Sequence, residues 1–179
     1  MSNTALLIID MINDFHFDAG TALAKNTKKI LDPIVNLKKF FNEKDMPVIY
    51  INDHYNLWQA DFEKIIDYCT NDTSEDIIKK ISPEKNHDYF LIKPKHSAFY
   101  GTALHTLLQQ LKVDTVVLAG IAGNICVLFT ANDAYMREYK LIIPEDFIAS
   151  NNEEDNKYAL TMMKNVLSAD TSPSYKLNF

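Results

Sequence analysis

Three apolar runs in this chain end on residues that together could cleave a covalent bond. "ALLIID" ends in Asp10, "DYFLIK" ends in Lys93, and "TVVLAG" leads shortly to Cys126 at the head of an expected helix. A thiolate is a nucleophile, a carboxylate can take its proton and hand it on to a leaving group, and an ammonium can balance the charge that moves between them. A free thiol of pKa about 8.5 is only a few per cent ionised at neutral pH. A helix N-terminus and the Lys93 ammonium both favour the thiolate, so a lowered pKa is expected for Cys126. The second cysteine, Cys69, falls near an expected helix C-terminus, where the dipole has the opposite sign, and shares an apolar stripe with Ile65 and Ile66. Each residue has a plain explanation when taken alone. A cysteine is most often a small buried hydrophobe, Asp10 could cap a turn, and Lys93 could simply be solvated. Asp10 and Lys93 nonetheless interrupt the ends of apolar strands on one expected edge, and that coincidence favours chemistry.

The elements that must position these residues alternate in type. Short continuous apolar runs read as strands buried on both faces: "ALLIID", "MPVIYIND", "DYFLIK", "TVVLAG" and "KLIIPED", with a weaker sixth around Ala169 to Ser172. Between them lie helical patterns. In "NTKKILDPIVNLKKFFNEK", Ile30, Leu31, Ile34, Leu37 and Phe41 recur at helical spacing with the lysines on the other face, and Pro33 suggests that the regular helix begins near it. "LWQADFEKIIDYC" and "SEDIIKKI" read as two helices, "TALHTLLQQLK" as one capped by Thr102, "ICVLFTANDAYMREY" as another, and "NEEDNKYALTMMKNVLS" as the last. Alternation of this kind specifies an α/β class fold: three α/β/α layers, Rossmann-like, around a mostly parallel sheet of five or six strands. In such sheets ligands bind outside the carboxyl ends of the strands, which is where Asp10, Lys93 and Cys126 are expected.

The whole chain bounds the reading further. Its 179 residues fit a single domain, 1–179, with a possible small helical insertion around 55–85. A formal net charge of -6 with interspersed signs argues against a nucleic-acid partner. No apolar run reaches the ~18 residues that a bilayer requires, so no membrane partner is expected. Two cysteines, and no basic leader before the first apolar run, point to a cytoplasmic location with neither a disulfide framework nor a cysteine-rich zinc site. The four glycines are Gly20, Gly101, Gly120 and Gly123, and three of them fall in or beside the segments named above. Phe15, Tyr55, Trp58 and Tyr100 lie near the expected site in sequence and could line a pocket for a small planar substrate, or pack in core or interface. Asn52 and Asp53, at the end of the second strand, could bind polar substrate groups or cap the turn that follows. No G-x-G-x-x-G follows the first strand, which weakens a nucleotide-binding reading.

"LLIIDMINDF", "KPKHSAFYGT" and "GIAGNICV", in that order, resemble the three signature segments of the isochorismatase-like cysteine hydrolases, a superfamily that includes nicotinamidases and N-carbamoylsarcosine amidases. The resemblance runs over most of the chain. It implies a catalytic triad of Asp10, Lys93 and Cys126, with Lys93 rather than Lys95 as the family lysine. It implies a non-proline cis peptide at Ile121–Ala122 and an oxyanion hole from the N–H groups of Ala122 and Cys126. The activity implied is hydrolysis of an amide or carbamoyl-type C–N bond of a small molecule through a thioester. The alternatives are vinyl ether hydrolysis of the isochorismatase type and a catalytically silent binding protein on the same fold. Members commonly assemble, so a homo-oligomer is expected. Two departures stand out. Nicotinamidases of the family bind a metal through Asp-x-His after the second strand, whereas "INDHYN" here puts Tyr55 in the histidine's place and His54 beside Asp53. Adjacent residues of extended chain point opposite ways, so no metal and no other cofactor is expected. A threonine common in the family before the nucleophile is replaced by Gly123, which removes a hydroxyl.

Overall fold

In the computed structural model, which describes residues 3–177, six strands form one sheet. The strands are β1 (Thr4–Ile9), β2 (Val48–Asp53), β3 (Tyr89–Lys93), β4 (Thr115–Ile121), β5 (Lys140–Ile142) and β6 (Ile148–Ala149). Their order is β3-β2-β1-β4-β5, β6 continues along β4 beyond β5, and every pairing is parallel. β1, β2 and β4 are buried almost throughout, which is why their sequences lack alternation. β3 is the edge strand and buries only its last residue, Lys93. The helices are α1 (Gly20–Glu43), α2 (Phe62–Cys69), α3 (Glu75–Ile81), α4 (Leu104–Gln110), α5 (Leu128–Tyr135) and α6 (Glu153–Val166). α1 and α3 pack together. The chain winds one way from β1 to β3 and the other way from β4 to β5, and right-handed crossovers then put α4 and α5 on the opposite face from α1 and α3. The reversal falls between β1 and β4, which opens a crevice at their carboxyl ends.

Several elements differ from the sequence reading, each for a physical reason. α1 does not begin near Pro33 but runs through it from Gly20. The hydrogen bond that proline forfeits would have gone to the carbonyl of exposed Lys29, where water can serve it. The buried stripe of Leu23, Ala24, Ile30, Ile34 and Phe41 meanwhile holds both halves to the core. Not all the lysines of α1 lie on its outer face. Lys38 is buried, with its ammonium 3.0 Å from Asp88, 3.2 Å from Glu84 and 2.9 Å from the carbonyl of Ser82, and so ties α1 to the residues that lead into β3. "KLIIPED" contributes only the three residues of β5, and the chain then returns as the two-residue β6. The segment around Ala169 to Ser172 makes one bridge, Asp170 to Ile142, in place of a strand. α4 starts at Leu104, whose N–H donates to Thr102 Oγ1 at 3.2 Å. α2 starts at Phe62, where Asp61 caps the amides of Glu63 and Lys64.

Candidate active site

Asp10 leaves β1 with φ 51°, in the left-handed region that aspartate tolerates better than most residues. The kink turns its carboxylate over the end of the sheet while its N–H still donates to the carbonyl of Ile51 at 3.1 Å. Oδ1 accepts the N–H of Asp53 at 2.9 Å. Oδ2 meets Lys93 Nζ at 2.8 Å. β2 separates β1 from β3, so the four-carbon stem of Lys93 must reach across it, and the register that pairs Asp53 with Lys93 sets the starting point. The ammonium also donates to the carbonyl of Lys95 at 3.2 Å and lies 3.5 Å from Cys126 Sγ. Lys93 thus touches both other groups, and Asp10 and the Cys126 thiol are near enough to act on each other's ionisation. The structure brings Asp10, Lys93 and Cys126 together from the carboxyl ends of β1, β3 and β4.

The turn that carries Cys126 is a π-turn, Gly123–Val127, rather than the first turn of an α-helix. The N–H of Val127 reaches five residues back to the carbonyl of Ala122 at 3.2 Å, and that of Ile125 reaches the same oxygen at 3.0 Å. Single π-turns of this kind are frequent at functional sites. The peptide bond between Ile121 and Ala122 is cis. One residue pair upstream, β4 presses so close to β1 that a β-carbon on Gly120 would fall 2.0 Å from the carbonyl oxygen of Ile9, and its φ of 124° suits glycine alone. The crevice between Asp10 and Cys126 is thus built where two strands approach more closely than any side chain allows.

The electrostatics reverse one expectation. The Cys126 thiol is pushed up, not down: burial dominates, the Asp10 carboxylate adds to it, and the Lys93 ammonium offsets only part. Asp10 is itself raised, chiefly by burial, with Lys93 and the thiol pulling the other way. Burial, the largest influence, would lower Lys93, but Asp10, Cys126 and Asp53 together outweigh it, and the ammonium stays charged. A thiol raised in this way is held protonated, beside the close contact of Asp10 with Lys93. The charges are visible in the sequence, whereas the desolvation depends on how much protein closes over the group.

The remaining expected residues do not converge equally. The Asn52 side chain is buried and clasps Ile12, accepting from its N–H at 3.2 Å and donating to its carbonyl at 2.9 Å. Asp53 joins the site through its backbone N–H, while its carboxylate caps the N–H of Tyr55 at 2.8 Å. Phe15 is buried, with φ 55°, in the loop after β1. Trp58 and Tyr100 are 63% and 61% exposed, and Trp58 stacks on His54 with ring centroids 3.9 Å apart. His54 Nδ1 accepts the N–H of Asn56 at 2.9 Å. Asp53 and His54 are thus each engaged in a turn of their own. Among the described residues no three His, Cys, Asp or Glu side chains gather for an ion. One neighbour escaped the sequence reading: His96, whose Nδ1 is 3.9 Å from Cys126 Sγ and whose ring lies 5.6 Å from that of Phe129. Its place three residues after Lys93 in the same segment was the available signal.

Comparison with known proteins gives the family. Residues 4–171 match the isochorismatase domain. The chain is 63% identical over 169 residues to the isochorismatase family protein YaaI of Bacillus subtilis, covering 94% of this chain and 93% of that one. Among solved structures it is similar to the N-carbamoylsarcosine amidase of Thermoplasma acidophilum, with a TM-score of 0.78, 32% identity and full coverage of both chains. It is also similar to the nicotinamidase SaPncA of Staphylococcus aureus, with a TM-score of 0.74, 29% identity and coverage of 96% and 98%. A parallel α/β sheet with a carboxylate, an ammonium and a thiol joined at its switch point, matched along nearly its whole length, identifies the chain as a hydrolase of the isochorismatase family.

Proposed function

We propose that this hydrolase cleaves the C–N bond of a small amide or carbamoyl compound, with Cys126 as nucleophile, Asp10 as proton carrier and Lys93 as counter-charge. The observation that carries the reading is the contact of Lys93 with both other groups, its Nζ 2.8 Å from the Asp10 carboxylate and 3.5 Å from the Cys126 sulfur. The similar solved structures named nicotinamidase and N-carbamoylsarcosine amidase lend it chemical company. In the first half, Asp10 takes the thiol proton as sulfur adds to the carbonyl carbon. A carboxylate raised by burial is the stronger base for that transfer. The Lys93 ammonium stays next to both groups, so the proton moves within a site whose net charge does not change. The hydrogen bonds of the π-turn occupy the N–H groups of Ile125 and Val127 and, through Ser150, that of Asn124. The N–H groups of Ala122 and Cys126 take no part in those bonds and are the proposed donors to the oxyanion. Collapse of the adduct expels the amine, which leaves with the proton from Asp10. Water then adds to the thioester, gives its proton to Asp10, and releases the carboxylic acid as the sulfur recovers that proton.

The test is a panel of primary amides, ureido and carbamoyl compounds assayed for ammonia release, with Cys126→Ala as the control. Turnover that disappears in the variant supports the reading. Turnover that survives it sinks the thioester mechanism and leaves C–N hydrolysis by a route that does not use the cysteine. A panel with no turnover counts against C–N hydrolysis and leaves a binding role in its place.

A further inference from the structure

The π-turn that carries Cys126 is held on its amino side by a polar cluster that comes from distant parts of the chain. Ser150 follows β6, is 2% exposed, and accepts the N–H of Asn124 on its hydroxyl at 3.1 Å. The same hydroxyl donates to Asn156 Oδ1 of α6 at 2.8 Å. Asn156 Nδ2 donates to the carbonyl of Ile148 at 3.3 Å, and Asn26 of α1 donates to the carbonyl of Ser150 at 2.9 Å. Gly123 makes the arrangement possible. A β-carbon there would stand 2.3 Å from Asn156 Oδ1 and 3.3 Å from Ser150 Oγ, so any larger residue pushes the cluster off the turn. The hydroxyl that serves the turn thus arrives from Ser150 rather than from position 123.

The carboxyl side of the turn is held separately. Thr130 Oγ1 donates to the carbonyl of Cys126 at 2.7 Å and accepts the N–H of Ala98 at 2.9 Å, which ties the turn to the segment after Lys93. Cys126 therefore hangs between two fixed points. Its sulfur must stay within reach of Lys93 and Asp10, and neither the chain before it nor a side chain of its own turn supplies the first of those points.

We propose that Ser150 and Asn156 are positioning residues for the nucleophile, acting through the backbone of Asn124 in the space that Gly123 leaves open. This rests on the reading of Cys126 as nucleophile. Neither residue touches the reacting atoms. A small displacement of a nucleophile can nonetheless cost on the order of a hundredfold in rate, and substrate binding, which depends on other groups, is spared.

The experiment compares Ser150→Ala, Ser150→Thr, Gly123→Ala, Asn156→Ala and the double variant of the last two. Three quantities are read: kcat and KM for ammonia release from a primary amide, the pH midpoint for alkylation of Cys126 by iodoacetamide, and the thermal unfolding midpoint. Ser150→Ala and Gly123→Ala are expected to lower kcat about tenfold with KM within about twofold, and to move the alkylation midpoint toward the ordinary thiol value. Ser150→Thr, which keeps the hydroxyl, is expected to retain at least half of kcat. In the Asn156→Ala background, Gly123→Ala should add little, because the oxygen it would strike has gone. If the wild-type protein hydrolyses no amide, the nucleophile reading fails by itself, and the alkylation profile still tests the clip. If Ser150→Ala does not fold, Gly123→Ala and Asn156→Ala carry the same comparison. Wild-type kcat and a wild-type alkylation profile in the folded single variants, or strictly additive effects of Gly123→Ala and Asn156→Ala, overturn the proposal.

Discussion

The two cysteines occupy regions of the molecule that share one property and differ in another. Cys69 ends α2 and is fully buried with Ile12, Ile65 and Ile78 in a small cluster under the segment between β2 and β3. Burial pushes its thiol up to about 12, a hydrogen bond to Tyr55 offsets part of that, and the nearby charges, Asp14, Asp53 and Asp10, are all negative and raise it further. Cys126 is only partly buried, yet its thiol is pushed up too, first by burial and then by Asp10. The direction of the shift does not separate the two. What separates them is that Cys126 has near it a carboxylate that can take its proton and, 3.5 Å away, an ammonium that can hold the resulting charge, whereas Cys69 has no cation among those neighbours. On the proposed reading, the nucleophile is distinguished less by a low resting pKa than by having both halves of a proton transfer beside it.

The largest way to break this comparison is to remove each sulfur in turn. Cys126→Ser is expected to reduce ammonia release from a responsive amide by roughly ten-thousandfold or more, since members of a catalytic triad act as a unit. Cys69→Ala should leave kcat within about twofold and reduce stability by about 1–2 kcal/mol, as loss of a small buried group does. Comparable losses of activity in the two variants would show that the contact with Asp10 and Lys93 carries no special chemistry. A second contrast lies in stability. Lys93→Met leaves the Asp10 carboxylate buried without its cation and should cost about 3–5 kcal/mol in urea unfolding, more than Cys69→Ala. Adding Asp10→Asn to Lys93→Met should recover much of that loss, because no buried charge then remains. A Lys93→Met protein as stable as wild type would mean that the pair is open to water.

Much of this site was legible in the sequence because it depends on where strands end. The buried parallel strands β1, β2 and β4 advertise themselves as unbroken apolar runs, and a polar residue at the end of such a run has few places to be except the edge where ligands bind. The rest depends on contacts between distant parts of the chain. β6 is two residues long and has no pattern to detect. Lys38 reads as a solvated lysine until Asp88 is seen beside it. Ser150 stands 26 positions from Asn124, and nothing local marks either as a partner of the other. The direction of the Cys126 shift is hidden from the sequence for the same reason. The sequence displays the helix and the lysine that would lower it but not the enclosure that raises it. Gly123 was noticed as a missing hydroxyl, whereas its meaning, room for Asn156, appears only in three dimensions.

The smallest effect is also the sharpest, because its two readouts move in opposite directions. Iodoacetamide should alkylate Cys126 faster than Cys69 in the wild-type protein through access alone, since both thiols are raised and Cys69 is fully enclosed. Asp10→Asn removes the carboxylate that raises the Cys126 thiol and leaves the Lys93 ammonium that lowers it. The midpoint for alkylation must then fall, and at a fixed pH below it the thiolate fraction rises about tenfold for each unit of the fall. A less basic thiolate is a weaker nucleophile, with a Brønsted slope of about 0.4–0.5, so the net gain in alkylation rate is about three- to fourfold per unit. Amide turnover should collapse in the same variant, because no group remains to carry the proton to the leaving amine. A thiol that becomes more reactive while the enzyme becomes inactive would separate the charge effect of Asp10 from its proton-carrying role. If alkylation slows along with turnover, Asp10 acts on Cys126 by holding it in place, and the contrast with Cys69 must rest on access and position instead.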